Sequence, residues 1–319
     1  MQRVASESKD PLWAALEDPD PAHRQLALID RSDSVGVESF EPLMAAVADR
    51  DPTVRRLAIG MLEELGDARA LSGIIVALGD DDGGVREAAQ SAVRVFRGDE
   101  AVARLLPAAG HENVAVREWV IVGLRELRDP RAVPVLVGAL TDAAPQVRRA
   151  AVVSLAYLRR RESVPALIER LSDSDAGVRR LAIAALARAW SQDLTAHVIG
   201  RLGDTDWQVR AEAAAALGSS SVAESVPALV EALHDSHWQV VKATVTALGA
   251  LNAKSAVPPV VGLLRSTAPD VRRASAEALG QLRAVSAAAE LRHLLSDPDI
   301  EVRKAASRAL EVLGASASG

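Results

Sequence analysis

Apolar residues recur along the chain in a pattern that returns every 31 residues with no insertion or deletion. Shifted by that interval, Val54-Arg55 falls on Val85-Arg86, then on Val116-Arg117, Val147-Arg148, Val178-Arg179 and Val209-Arg210. Val240-Val241, Val271-Arg272 and Val302-Arg303 complete the series, and His23-Arg24 stands one period earlier as a degenerate first copy. A fixed period of this size marks a repeat array rather than a single core. The valine, replaced by His23 in the first copy, marks each repeat.

Two helices are predicted in each period. The first often opens near a proline (Pro11, Pro42, Pro134, Pro165, Pro227, Pro258), which the first turn of a helix tolerates because its N–H has no intrahelical partner. A fixed apolar position follows, as in Leu43, Ile74, Leu136 and Leu229. A short polar loop usually holds an aspartate, such as Asp142, Asp173 or Asp204. The second helix starts with a cap three residues before the marker: Asp20, Asp51, Asp82, Asn113, Asp175, Asp206 and Asp299. Its apolar residues then fall at spacings of four, four and three, as in Val147, Ala151, Leu155 and Leu158, which is one helical stripe. The position four after the marker is small in most copies (Ala58, Ala89, Ala151, Ala182, Ala213, Ser275, Ala306), so neighbouring helices can approach closely.

A helix pair of this size cannot bury its apolar faces alone, whereas stacked pairs share a continuous core. The expected fold is therefore all-α: an α-solenoid, or superhelix, of ten 31-residue helix pairs. At roughly 8–10 Å between helix axes, it would be on the order of 90 Å long. One solenoid is expected over residues 10–313, with a polar tail at 1–9 and a flexible tail at 314–319. Residues 10–40 form a degenerate capping repeat, in which Arg31 and Ser34 replace apolar residues of the second helix.

Composition adds exclusions. Hydrophobic residues make up 49% but aromatics only 3%, which suits closely packed Ala, Leu and Val. The chain has no cysteine, so disulfides and thiolate metal sites are ruled out. No run approaches the roughly 18 apolar residues of a membrane span, and Met1–Asp10 lacks the apolar segment of a signal peptide. A cytoplasmic protein without membrane contact is expected. A net charge of −6 argues against nucleic acid as the main partner.

The signature Asp-x-Asp-x-x-Val-Arg, then small residues and Gly, then Ala-Val-Pro-x-Leu, is carried by Asp173–Leu186, Ala132–Leu140, Gly218, Gly249 and Ser225–Leu229. It resembles the PBS-lyase HEAT-like repeat family and is similar to the artificial alpha-repeat scaffolds. The resemblance covers about residues 10–313 and implies HEAT-like helix pairs whose second helices line a concave face. It is weak for activity, because the family includes chromophore-lyase subunits, scaffolds and many bacterial proteins. Deoxyhypusine hydroxylase, a HEAT-like iron enzyme, uses several His-Glu pairs; only His111-Glu112 stands here, which cannot make that site.

Function is expected where repeats differ on the side away from the core. At 100° per residue, that side of the second helix holds the two residues before the marker and those two, three, six and ten after it. Two after the marker come Arg56, Glu87, Glu118, Arg149, Arg180, Ala211, Lys242, Arg273 and Lys304, a stripe that reads as basic from Arg149 onward. Trp119, Tyr157, Trp207 and Trp238 share the surface, and Trp207-Gln208 and Trp238-Gln239 stand one period apart. Exposed Trp and Tyr offer large apolar area with a polar handle. The expected binding residues are Trp119, Arg149, Tyr157, Arg180, Trp207, Gln208, Trp238, Gln239, Lys242 and Arg273. Trp13 reads as core or cap, and Trp190 as a helix end.

His234 and His237 with Asp235 read as solvated loop residues rather than metal ligands. Gly83-Gly84 reads as a loosened helix turn. No catalytic constellation, phosphate loop or cofactor motif is visible. The leading expectation is a non-catalytic interaction scaffold, with an acidic protein or peptide segment on the concave face. The alternative is a small-molecule or tetrapyrrole-binding, lyase-like component using the aromatic groove, and nucleic-acid binding is the remote one.

Overall fold

The structure, a computed structural model, describes residues 11–188, 191 and 193–314. Trp190, the whole tail at 1–9 and the tail at 314–319 apart from Gly314 lie outside these residues. Among the described residues there are twenty α-helices and no strand. The helices alternate as the 31-residue period requires. Second helices run Pro21–Arg31, Pro52–Leu65, Gly83–Ala92, Val114–Leu127 and Pro145–Leu158, then Ala176–Ala187, Trp207–Ser219, Trp238–Ala250, Pro269–Gln281 and Ile300–Val312. First helices are shorter, six residues in Pro11–Leu16, Val164–Glu169 and Val257–Gly262, and many are flanked by 3₁₀ turns.

The chain divides into two compact units, one ending at Leu158 and the other beginning at Arg159. Each holds five helix pairs; the second helices pack on one another in sequence order throughout the second unit, and in the first from Pro21–Arg31 to Gly83–Ala92 and again between Val114–Leu127 and Pro145–Leu158. The markers Val54, Val85, Val116 and Val147 are buried in the first unit, and Val178, Val209, Val240, Val271 and Val302 in the second. Ala58, Ala89, Ala151, Ala182, Ala213 and Ala306 are buried beside them, the stripe that the spacing predicts. In the degenerate first repeat the second helix stops at Arg31 and Ser32–Ser34 turn into a 3₁₀ segment, so the positions of Arg31 and Ser34 mark the end of that helix rather than its buried face. Gly83 and Gly84 form a regular first turn under the Asp82 cap, which accepts from the Val85 N–H at 3.0 Å.

All seven predicted cap residues accept first-turn N–H groups through their side chains. A second acceptor stands five residues before every marker. Asp18, Asp49, Asp80, His111, Asp142, Asp173, Asp204, Asp235, Ser266 and Asp297 each accept from the N–H two residues ahead, at 2.8–3.3 Å. The arginine after the marker reaches back to the two carbonyls of this loop in all nine repeats that have it. It also forms a two-pronged ion pair with the loop aspartate of the next repeat: Arg24–Asp49, Arg55–Asp80 and Arg117–Asp142 in the first unit, Arg179–Asp204, Arg210–Asp235 and Arg272–Asp297 in the second. The arginine is thus a structural strut, as its recurrence suggests.

Two links of this ladder differ. Arg86 meets a repeat with His111 in the aspartate's place and, among the described residues, holds its own loop carbonyls alone, Asp80 O and Asp81 O. Between the eighth and ninth repeats, Val241 replaces the arginine and Ser266 the aspartate, and Val241 is buried instead.

Candidate functional site

The side of each second helix opposite the buried stripe carries most of the residues singled out above. In the second unit, helices Trp207–Ser219 and Trp238–Ala250 leave a cleft of about 540 Å³ between them. Ala215, Gly218 and Ser219 line it from one helix, and Trp238, Gln239, Lys242, Ala243, Thr246, Ala247 and Ala250 from the other. Measured from the markers, these are largely the outward positions expected from helical geometry. The small side chains make the floor apolar. Gly218 sets its depth, since a Cβ there would stand 2.6 Å from Ala247 Cα, so only glycine allows the two helices to come this close.

Trp238 forms the wall, with 43% of its surface exposed. The Lys242 ammonium lies 5.8 Å from the centre of its ring, one helical turn further on, in cation–π range. Lys242 also donates to Asp270 at 2.8 Å, and Arg273 donates to the same carboxylate oxygen at 3.0 Å. Gln239 is half-buried, and its side-chain amide makes no hydrogen bond among the described residues. The hydroxyls of Ser219 and Thr246 donate to carbonyls of their own helices, Ala216 O and Lys242 O.

Trp207 does not join that wall. Its ring stacks on His237, with centroids 5.9 Å apart and planes 11° from parallel. His237 in turn lies 3.2 Å from Arg210 Nη2 and 3.0 Å from Ser236 Oγ. The two tryptophans are equivalent in sequence but not in surroundings: Trp207 covers the loop of the next repeat, while Trp238 has no such cover. Gln208 is exposed on the turn beside Trp207. Among the described residues no group of three or more His, Asp or Glu side chains is placed to hold a metal ion, His234, Asp235 and His237 included.

In the first unit, Tyr157 is held by its neighbours. Arg125 and Arg128 lie over its ring, at 5.7 and 5.1 Å from the centroid, and Arg128 also donates to its hydroxyl. Trp119 is half-buried and Arg149 is exposed on the outward side. Trp13 is half-buried on the first helix, in keeping with a core or cap position.

The stripe read as basic is not a run of unmatched cations. Glu118 faces Arg149, and Glu212 faces Arg180. Both carboxyls are pushed up from the ordinary glutamate value by burial, with the arginine opposing. Asp270 lies between Lys242 and Arg273, and Glu301 accepts from Lys304. Reading one position per helix picked out the cations and missed the acids, because Asp270 and Glu301 lie one residue before their markers and Glu212 lies three after. Only the stacked helices bring these positions together.

The sequence pattern described as HEAT repeats matches residues 9–94, 77–156, 138–218, 164–248, 195–275 and 226–311. The chain belongs to the HEAT-repeat family. Among solved structures, an engineered protein is similar over 95% of this chain and 98% of its own, with 20% identity and a TM-score of 0.51. The E. coli protein YibA is similar over 82% of this chain and 97% of its own, at 19% identity and a TM-score of 0.56. A chain of the Kap95p–RanGDP structure matches 95% of this chain with 48% of its own length, at 15% identity and a TM-score of 0.65. At these identities the likeness is one of fold: an all-α HEAT solenoid. No curated protein matches the sequence at a significant level.

HEAT repeats account for the markers, the caps and the ladder. What the period leaves over belongs to single repeats: the exposed Trp238, the Gln239 amide, unpaired among the described residues, and the apolar trough behind them. None of the described helices is long and apolar enough to cross a membrane.

Proposed function

We propose that this HEAT solenoid is a non-catalytic protein-interaction scaffold, and that the outward face of its second helices, at the Trp238 cleft, receives a segment of a partner protein. The observation that carries the reading is Trp238 itself. It is a large aromatic left uncovered beside an apolar trough, in a repeat array whose equivalent residue, Trp207, is covered. Aromatic anchors beside small-residue pockets dominate interface energetics. The Kap95p structure, in which Kap95p binds RanGDP, supports protein binding as a use of this fold.

The test compares Trp238→Ala with Trp207→Ala in affinity capture from lysate of the source organism, after equal helicity has been established. A specific partner held by the unaltered chain should bind Trp238→Ala at least about tenfold more weakly. A partner retained equally well by Trp238→Ala would remove the cleft from the proposal. A second reading, a small-molecule ligand, draws on the cleft's volume of about 540 Å³, which lies in the range of ligand pockets. It predicts a shift in tryptophan emission with the ligand and no retained protein.

A further inference from the structure

We infer that the Trp238 cleft selects an extended peptide segment in which an apolar side chain is followed or preceded closely by a carboxylate, the carboxylate docking on Lys242. The inference rests on the scaffold reading above and names what that cleft would recognise.

Three observations point the same way. The first is shape. From Trp238 to Ala250 the groove follows one helix for about 18 Å, at 1.5 Å per residue. An extended strand covers that distance in five or six residues. The floor of Ala215, Gly218, Ala243, Ala247 and Ala250 offers no branched side chain, so a partner's own side chain must supply the bulk. The second is the Gln239 amide, which lines the cleft without a hydrogen-bond partner among the described residues. A primary amide offers donor and acceptor together, the complement of one peptide unit of an extended backbone.

The third is charge. Along the outward face, Lys242, Asp270, Arg273, Glu301 and Lys304 alternate in sign and are joined by contacts of 2.8–3.0 Å, apart from Arg273 and Glu301, which interact only at longer range. Three cations face two carboxylates. Asp270 accepts from both Lys242 and Arg273 on one oxygen, so neither cation has a carboxylate to itself. Of the Lys242 ammonium's three donors, Asp270 is the one acceptor among the described residues, and Lys242 is the member of the series that lines the cleft. A ligand carboxylate there would complete the alternation, while a cationic ligand would meet a surplus of like charge.

The experiment selects linear twelve-residue peptides from a phage-displayed random library on the full chain, then measures synthetic versions of the enriched sequences by fluorescence polarisation. The expected result is a consensus with Asp or Glu within two residues of a large apolar side chain. Binding should fall about tenfold or more on Trp238→Ala and several-fold on Lys242→Gln. It should rise several-fold on Asp270→Asn, which gives up a competitor for both cations; a merely structural role for Asp270 would not produce a gain. Circular dichroism confirms that each variant keeps its helicity. Enriched peptides without an acid, or affinities unmoved by Lys242→Gln and Asp270→Asn yet lost on Trp238→Ala, would overturn the carboxylate inference and leave the cleft as a docking site. No enrichment, or binding untouched by Trp238→Ala, would overturn both.

Discussion

Gly218 is where two second helices of the second unit touch backbone to backbone, and its replacement should be felt at once. A Cβ there would meet Ala247 at 2.6 and 2.7 Å, so Gly218→Val must push the helices apart and should destabilise by about 1–3 kcal/mol. Gly60 is the contrast: nothing lies within 4 Å of its would-be Cβ, inside the helix Pro52–Leu65. Gly60→Ala should therefore stabilise by about 0.5–1 kcal/mol, and denaturant unfolding of both variants measures the pair. Glu212 provides a second residue-level test. Burial raises its carboxyl above the ordinary value of 4.5 despite Arg180, so the folded state holds this proton more tightly than the unfolded chain. Stability must then fall as pH rises through that region, and the cost persists at neutral pH. Glu212→Gln should raise the thermal midpoint at pH 7, by less than about 1 kcal/mol in stability for a half-buried carboxylate, and the gain should vanish below about pH 4. An unchanged midpoint at pH 7 would contradict the assignment. The identities of these residues were plain in the sequence, but their neighbours were not: that Gly218 meets Ala247, or Glu212 meets Arg180, depends on the packing of adjacent repeats.

At the scale of the helix, beginnings were legible and endings were not. Asp51, Asp82 and Asp206 announce their helices because a short side chain with an acceptor is the natural partner of first-turn N–H groups. Seven of the second helices are followed, twelve residues after the marker, by a left-handed residue: Gly66, Arg128, Arg159, Ser221, Asn252, Arg283 and Gly314. Only two of these are glycine and one asparagine, so the usual stop signal is mostly missing. The loop packing imposes the conformation on arginine and serine, at a cost of about 1–2 kcal/mol each. Part of what offsets it is the ladder. Arg179 is mostly buried, with a two-pronged ion pair to Asp204 and two carbonyl bonds, whereas Arg86 makes the carbonyl bonds alone. Arg179→Ala should cost about 2–3 kcal/mol and Arg86→Ala clearly less, read as the shift in urea midpoint. Equal losses would mean that the carbonyl bonds, rather than the ion pair, carry the strut.

For the molecule as a whole, the repeated ladder makes acid sensitivity a collective property. In Asp49, Asp80, Asp204 and Asp235, burial is the largest influence and opposes ionisation, but the arginine and the N–H two residues ahead outweigh it. In Asp142 and Asp297 the arginine is itself the largest influence. All six carboxyls lie below the usual aspartate value of 3.8. Their contribution is complete above that value and is lost as pH falls through the lower folded values. Thermal midpoints followed by circular dichroism should hold steady from about pH 6 to 4 and drop steeply below it, less steeply when Asp204 is replaced by Asn. A flat profile down to pH 3 would show that the ladder contributes nothing net. The fold at this scale was open to reading because one period recurs ten times and each copy supports the next. The binding face was not, since it depends on how copies differ, and a difference acquires meaning only beside its neighbour.

The acceptor five residues before each marker has a consequence for how such a chain could change its length. Its task of holding the next turn of backbone is met in every repeat, by aspartate, histidine or serine alike, and involves no other repeat. Because the period is unbroken and the loop closes on itself, a whole copy deleted or duplicated in the gene would still fold its own corner and present the expected surface to its neighbours. The seam at His111 is where such an edit would be felt least, since among the described residues no arginine–aspartate link crosses it to be mismatched; the seam at Val241 lacks that link too but is bridged by Lys242 and Asp270.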